Sequence, residues 1–175
     1  IFITSAGSPK LFTNFLKDSG ACVLHVVSHP DLAKKCEDQG VDIVIAEGFE
    51  AGGHNGRAEL TSMCLLPAVL KAVNIPVVAA GGIATGSQML AAMCIGASGV
   101  QMGTRFVATE ESSAHSKFKN TVVEANSDST KLCMKSLVPV RIIKNALFEK
   151  INELEEKGAS KAEINQVLGK GKAKK

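Results

Sequence analysis

Two short apolar runs in this chain each end in small residues suited to holding an anion: Val77-Val-Ala-Ala80 leads into Gly81-Gly82, and Gly99-Val-Gln-Met102 leads into Gly103-Thr104. Without a Cβ, glycine lets the backbone take φ > 0 and come close to a ligand. Consecutive N–H groups at the ends of adjacent parallel strands are how α/β barrels hold a phosphate after their last two strands. Arg105, next in sequence, could neutralise such a phosphate or pair with a helix carboxylate.

A second candidate is His54, in the loop Ala51-Gly-Gly-His-Asn-Gly56 that follows another apolar strand. Barrel enzymes keep their catalytic groups at the C-terminal ends of strands, and an imidazole of pKa ~6.5 suits a general base near neutral pH. The alternative is a surface histidine in a flexible loop. His25, His29 and His115 lack such a setting and read as structural or solvated. Glu47 and Glu50 could be a carboxylate pair; the plainer alternative is that one accepts from loop N–H groups while the other faces water.

The elements that must position these groups repeat as a βα unit of strand, polar turn, amphipathic helix and glycine. Ile1–Ser5 reads as a strand, Ser8-Pro9 as a helix start with Leu11, Phe12, Phe15 and Leu16 as its buried face, and Gly20 as its end. Cys22–Val27 is the next strand, followed by a helix opened by Ser28-His29-Pro30, with Leu32, Ala33 and Cys36 inward, and closed by Gly40. Asp42–Ala46 is the third strand. The long polar loop 47–57 interrupts the rhythm before a helix carrying Leu66, Val69, Leu70 and Val73, and loops of that length in a compact domain are usually functional. Gln88–Ile95, with Met89, Leu90 and Met93 on one side, joins the two glycine-ended strands.

Near-continuous apolar strands separated by helices predict a parallel sheet covered on both faces. A doubly wound sheet would place its phosphate loop after the first strand, whereas here the glycines follow the last two. The expected fold is therefore α/β, the C-terminal part of a (β/α)8 TIM barrel, about strands 4–8, with extra C-terminal helices. A start in mid-strand, without Met, fits that reading. Residues 1–110 form the partial barrel in this division, 111–169 a helical region of the same domain, and 170–175 a basic tail. Within the helical region Pro139–Glu156 carries Val140, Ile143, Leu147, Ile151 and Leu154 on one stripe, and Ser160-Lys-Ala-Glu163 is a capping box for a last helix that Gly169 ends.

Composition narrows the function classes. With 175 residues, 45% apolar and 21% charged, the chain is ordinary for one globular domain. Its formal charge of +3 falls to −1 when the four lysines of the tail Lys170–Lys175 are set aside, so nucleic acid is a poor partner. No apolar stretch reaches the ~18 residues of a membrane span, and no signal-peptide pattern is visible. Cys22, Cys36, Cys64, Cys94 and Cys133 are odd in number and widely spread, which reads as small core residues in a reducing, cytoplasmic compartment. No spacing suggests a metal site.

Three motifs taken together, Ala46-Glu-Gly-Phe-Glu-Ala-Gly-Gly-His-Asn-Gly56, Pro76-Val-Val-Ala-Ala-Gly-Gly-Ile83 and Gly99-Val-Gln-Met-Gly-Thr-Arg-Phe106, resemble the nitronate monooxygenases, formerly 2-nitropropane dioxygenases. The related FMN-dependent enoyl-acyl-carrier-protein reductases share all three. The resemblance spans residues 1 to about 150. It implies an FMN-containing barrel, with the phosphate on the N–H groups of Gly81, Gly82, Gly103 and Thr104, Gln101 and Met102 lining the same site, Ala46 and Ala51 near the ring system, and His54 as the active-site histidine. It implies oxidation of a small alkyl nitronate by O2 to a carbonyl compound and nitrite, His54 orienting the nitronate oxygens or acting as base. The reductase alternative would use NAD(P)H and an enoyl thioester. The family's first barrel strands, with a glycine-rich loop and an asparagine for the flavin, have no counterpart here. A half barrel exposes sheet edges that pair or aggregate, so a homo-oligomer or an inactive fragment are further expectations. Inosine-monophosphate-dehydrogenase-like barrels share the glycine strands but need a nucleophilic Cys in the loop that here holds His54.

Overall fold

The computed structural model describes residues 1–169; the basic tail 170–175 lies outside the described residues. Five strands, β1 (Phe2–Thr4), β2 (Val23–Val27), β3 (Ile43–Glu47), β5 (Val77–Ala80) and β6 (Gly99–Gln101), form one parallel sheet in the order β1-β2-β3-β5-β6. Each strand lies beside its predecessor in the sheet, with no reversal of order. Successive crossovers of one sense build a barrel wall, whereas a doubly wound sheet reverses at a switch point.

The helices between these strands start and stop where local chemistry says they should. His29 caps α2 (Pro30–Asp38), its Nδ1 accepting from Asp31 N–H at 3.2 Å, and Gly40 leaves it at φ +79°. Thr61 caps α3 (Ser62–Ala72), and Thr85 with Gln88 forms a capping box on α4 (Gly86–Ile95). Alternation along the strands sends Val27, Val44, Ala46, Val77 and Ala79 to the helix side, where they form one core with Ala33, Cys36, Leu65, Leu66, Val69 and Ala92. Burial of each Leu or Val in that core is worth ~1.5–3 kcal/mol. The opposite parity carries a row of hydrogen-bonded neighbours at the C-terminal ends, Glu47 beside Ala80 beside Gln101.

Some expectations need correction. Pro9–Leu11 is a 3-10 turn with no side-chain cap from Ser8, and α1 begins only at Thr13 (Thr13–Asp18). Leu11, Phe12 and Phe15, expected to be buried, are 68%, 59% and 74% exposed. The cause is topological: β1 is an edge strand, so the groove that α1 would cover has a strand on one side only. Met89, Leu90 and Met93 on α4, beside the other edge strand β6, are exposed as well. Cys36 and Cys133 are core residues, but Cys64 and Cys94 are exposed.

The segment Pro139–Glu156 is not one helix. Val140–Ile143 is strand β8, and α7 starts at Ala146 (Ala146–Glu156). A β-branched run followed by Asn145, whose side chain accepts from Leu147 N–H and Phe148 N–H, breaks the helical stripe. β8 stands between β7 (Thr130–Cys133) and β4 (Gly53–His54) in an antiparallel sheet. Short α5 (Thr104–Val107) and α6 (Ser116–Glu124) lead into this sheet, and α7 and α8 (Lys161–Leu168) pack over it around Cys133, Phe148, Ile151 and Ile164. The Ser160–Glu163 capping box on α8 is formed, and Gly169 follows it at φ +61°.

Candidate functional site

The C-terminal ends of β3, β5 and β6 surround a cavity of about 220 Å³ whose wall includes Ala51, Gly81, Gly82, Gln101, Gly103 and Thr104. Six of the eight residues expected to bind a cofactor thus meet in one place, joined by Glu47, Glu50 and Arg105. The other two do not line it. Ala46 sits in the helix-side core, 2% exposed, because its parity on β3 is opposite to that of Glu47. Met102, one residue past β6, is partly buried outside the cavity wall.

The glycine turn is built for close approach. Gly81 and Gly82 hold φ of +97° and +69°, and a Cβ on Gly81 would lie 2.7 Å from the Gly48 carbonyl oxygen and 3.0 Å from the Gly48 nitrogen. Ser62, the first residue of α3, fixes this packing. Its hydroxyl lies 2.8 Å from the Gly81 carbonyl and 3.1 Å from that of Ala80, and its N–H donates to both Glu50 carboxylate oxygens at 3.0 Å. Glu50 is therefore the loop-capping carboxylate of the plainer reading, its charge met by the N-terminus of α3. Neither Ser62 nor Gly48 was visible as a site residue from sequence; the only local signal is that Thr61-Ser62 precedes an apolar helical run.

Glu47 does not pair with Glu50; it is half-buried, and its carboxyl has no hydrogen-bond or ion-pair partner among the described residues. Burial pushes its pKa above the usual 4.5. In the window between 4.5 and the raised value the folded chain keeps a proton that the unfolded chain releases, so stability falls as pH rises through it. Glu47→Gln should therefore melt above the parent near neutral pH, with the gap closing as pH drops below 4.5. Thermal melts across pH check this, and a gap independent of pH would show that ionisation is not its cause.

His54 lies elsewhere. It is exposed on β4, paired with Val140 of β8, and lines a second cavity of about 470 Å³ together with His25, Asn55, Ser28 and Glu47. Its loop is held by tertiary contacts that sequence gave no hint of. Asn55 N–H donates to the Pro139 carbonyl at 2.8 Å, the Asn55 amide donates to the carbonyls of Ala51 and Gly53, and Arg141 Nε donates to the Phe49 carbonyl at 3.1 Å with its guanidinium over the Phe49 ring. His25 is buried, its Nδ1 2.7 Å from Thr4 Oγ1, and burial holds its pKa below the usual 6.5, with the Gly7 carbonyl acting in the other direction. Glu47 is the residue common to the two cavities.

Residues 1–175 match the family model described as nitronate monooxygenase. A probable nitronate monooxygenase of Bacillus subtilis is 39% identical over 124 residues, an alignment covering 67% of this chain and 36% of that protein. FabK from Thermotoga maritima superposes with a TM-score of 0.84 at 44% identity, over 89% of this chain and 50% of FabK. Nitroalkane oxidase from Streptomyces ansochromogenes superposes with a TM-score of 0.75 at 33% identity, over 87% of this chain and 47% of the oxidase. The chain thus spans half or less of the length of these relatives.

Proposed function

The chain belongs to the nitronate monooxygenase family, and from that premise we propose that it takes part in FMN-dependent oxidation of alkyl nitronates by O2 to a carbonyl compound and nitrite. The observation that carries this reading is the glycine-lined cavity at the strand ends, with the His54 loop beside it. The residues present fit the phosphate-bearing end of a flavin nucleotide. Gly81 and Gly82, held at positive φ and packed against Gly48, Ser62 and Glu50, present bare backbone to the cavity, Thr104 opens a helix whose first N–H groups have no intrahelical acceptor, and Arg105 adds a cation to the wall. Two carboxylates in that wall would oppose a phosphate, but Glu50 is tied to the N-terminus of α3 and burial favours the neutral form of Glu47.

Bound FMN would supply the electron-accepting ring system. In this reading Gly81, Gly82, Gly103 and Thr104 hold its phosphate, with Gln101 and Ala51 on the same wall. His54 orients the nitronate oxygens through a ring N–H, or takes the α-proton when a neutral nitroalkane is presented. Proposed partners are thus a small nitronate and O2, with no nucleic acid, and the exposed β1 edge with Phe12 and Phe15 suits pairing in a homo-oligomer. Among the described residues no helix is long and apolar enough to cross a membrane; a cytoplasmic location is part of the proposal.

A second reading, FMN-dependent enoyl-acyl-carrier-protein reduction with NAD(P)H, draws on the higher identity to FabK, 44% against 33% for the nitroalkane oxidase. Flavin bleaching under anaerobic conditions separates the two. Propionate 3-nitronate should reduce the bound flavin while NADH leaves it oxidised; rapid bleaching by NADH alone would transfer the assignment to the reductase, and failure to retain FMN at all would overturn both.

A further inference from the structure

A third cavity, of about 540 Å³, opens between α5, α6 and the antiparallel sheet. Along β8, Val140 and Ile142 pack into the core under α7 and α8, so alternation leaves Arg141 and Ile143 on the other face, toward α6. Across the cavity α6 presents Phe118 and Val122, one turn apart, and α5 presents Val107. Val107, Phe118, Val122 and Ile143 pack into neither hydrophobic core, so this apolar wall is not closed by the chain's own side chains. Arg141 is the only charged residue in the wall. Its Nε donates to the Phe49 carbonyl at 3.1 Å, its Nη1 to Thr130 Oγ1 at 3.3 Å, and its Cζ stands 5.3 Å from the centre of the Phe49 ring. These contacts fix the guanidinium, yet its remaining N–H groups have no acceptor and no carboxylate neutralises it among the described residues. The cavity shares Gly52, Gly103 and Thr104 with the glycine cavity and no residue with the His54 cavity.

We propose that this cavity binds an aliphatic monocarboxylate of medium chain length, its carboxylate paired with Arg141 and its chain against Phe118, Val122 and Ile143. Charge complementarity selects the head group. One guanidinium, held in place by Phe49 and Thr130 in a wall without acidic residues, matches a single carboxylate through charge-assisted hydrogen bonds. A neutral alcohol would displace water from the guanidinium without replacing its charge partner. A polyanion would meet one cation and an otherwise apolar wall. The apolar residues select the tail, since each methylene moved from water to that wall is a gain, and the volume is that of a small-molecule site. Neither a flavin nor a nitronate enters this argument, which places a second ligand beside the glycine cavity and apart from His54.

Calorimetric titration of the full chain with butyrate, hexanoate and octanoate, and with octanol, tests this. Octanoate should saturate at one molecule per chain, with affinity rising about fourfold per methylene along the series. Octanol should bind about tenfold or more weakly than octanoate. These comparisons need no variant. Octanol binding as tightly as octanoate, an affinity that does not change from butyrate to octanoate, or uptake without saturation would each overturn the proposal. Arg141→Gln should lose the preference for octanoate over octanol, and Val122→Phe, which fills the cavity from α6, should weaken octanoate by about tenfold or more. Octanoate affinity unchanged in either variant would place the ligand elsewhere. The same affinity is expected with FMN added, and displacement of octanoate by FMN would move it into the glycine cavity and likewise sink the inference. Octanoate binding without nitronate oxidation would leave this inference standing while removing the functional reading; nitronate oxidation without octanoate binding would do the reverse.

Discussion

Gly81→Ala is expected to cost about 3 kcal/mol of folding stability and to abolish FMN retention. The new methyl would lie 2.7 Å from the Gly48 oxygen, 2.9 Å from Ser62 Oγ and 3.0 Å from the Gly48 nitrogen. Two of these three are backbone atoms that cannot rotate away. The Gly48 N–H donates to the Ala80 carbonyl at 3.0 Å, so displacing Gly48 also breaks the junction of β3 and β5. A φ of +97° adds strain that an L-residue tolerates poorly. Gly86→Ala is the matched control, since a Cβ there meets nothing within 4 Å and the position opens α4. Urea unfolding and quenching of FMN fluorescence, measured on both variants, check the result; a Gly81→Ala protein as stable as Gly86→Ala would mean that the Gly48–Gly81 contact is not tight in solution.

His54→Ala is expected to separate function from fold. The side chain is exposed, and the two-residue strand that carries it is held by the backbone of β8 and not by the imidazole, so stability should move by no more than about 0.5 kcal/mol. Loss of an acid–base or orienting group at the substrate lowers kcat/KM by about 10²–10⁴-fold. With nitronates the loss should fall on substrate orientation, and with neutral nitroalkanes on proton abstraction as well, so the variant should discriminate more strongly against the neutral substrate. Steady-state oxygen consumption with both forms of one substrate, beside a thermal melt, reads this. Equal kcat/KM for parent and variant would remove His54 from the reaction.

Much of this site could be read along the chain. The five parallel strands lie within a residue or two of where apolar runs place them, because each strand is a short, near-continuous apolar run bounded by polar turns or glycine. Six of the eight expected cofactor residues share a cavity because each sits at, or within four residues of, the C-terminal end of β3, β5 or β6, a position fixed by local sequence. Ala46 stands outside that cavity wall for an equally local reason: a single step along β3 turns the side chain to the opposite face. The stripe from Val140 to Leu154 misled because helical spacing alone does not register a β-branched run or an asparagine cap, both of which were present.

By itself, then, the sequence determined the order of strands and helices, the glycine turns and the identity of the groups at the strand ends. All of these follow from short-range sterics and hydrophobic periodicity. Only the tertiary structure decided that β8 pairs with the His54 strand, that Ser62 ties Glu50 to the Gly81 turn, that Phe12 and Phe15 stand exposed beside an edge strand, and that Glu47 has a cavity on each side. The partners in those contacts are 12 to 92 residues apart in the chain wherever a hydrogen bond joins them, as in Ser62–Glu50 and Arg141–Phe49. Their meeting depends on how whole elements pack, which no local pattern encodes.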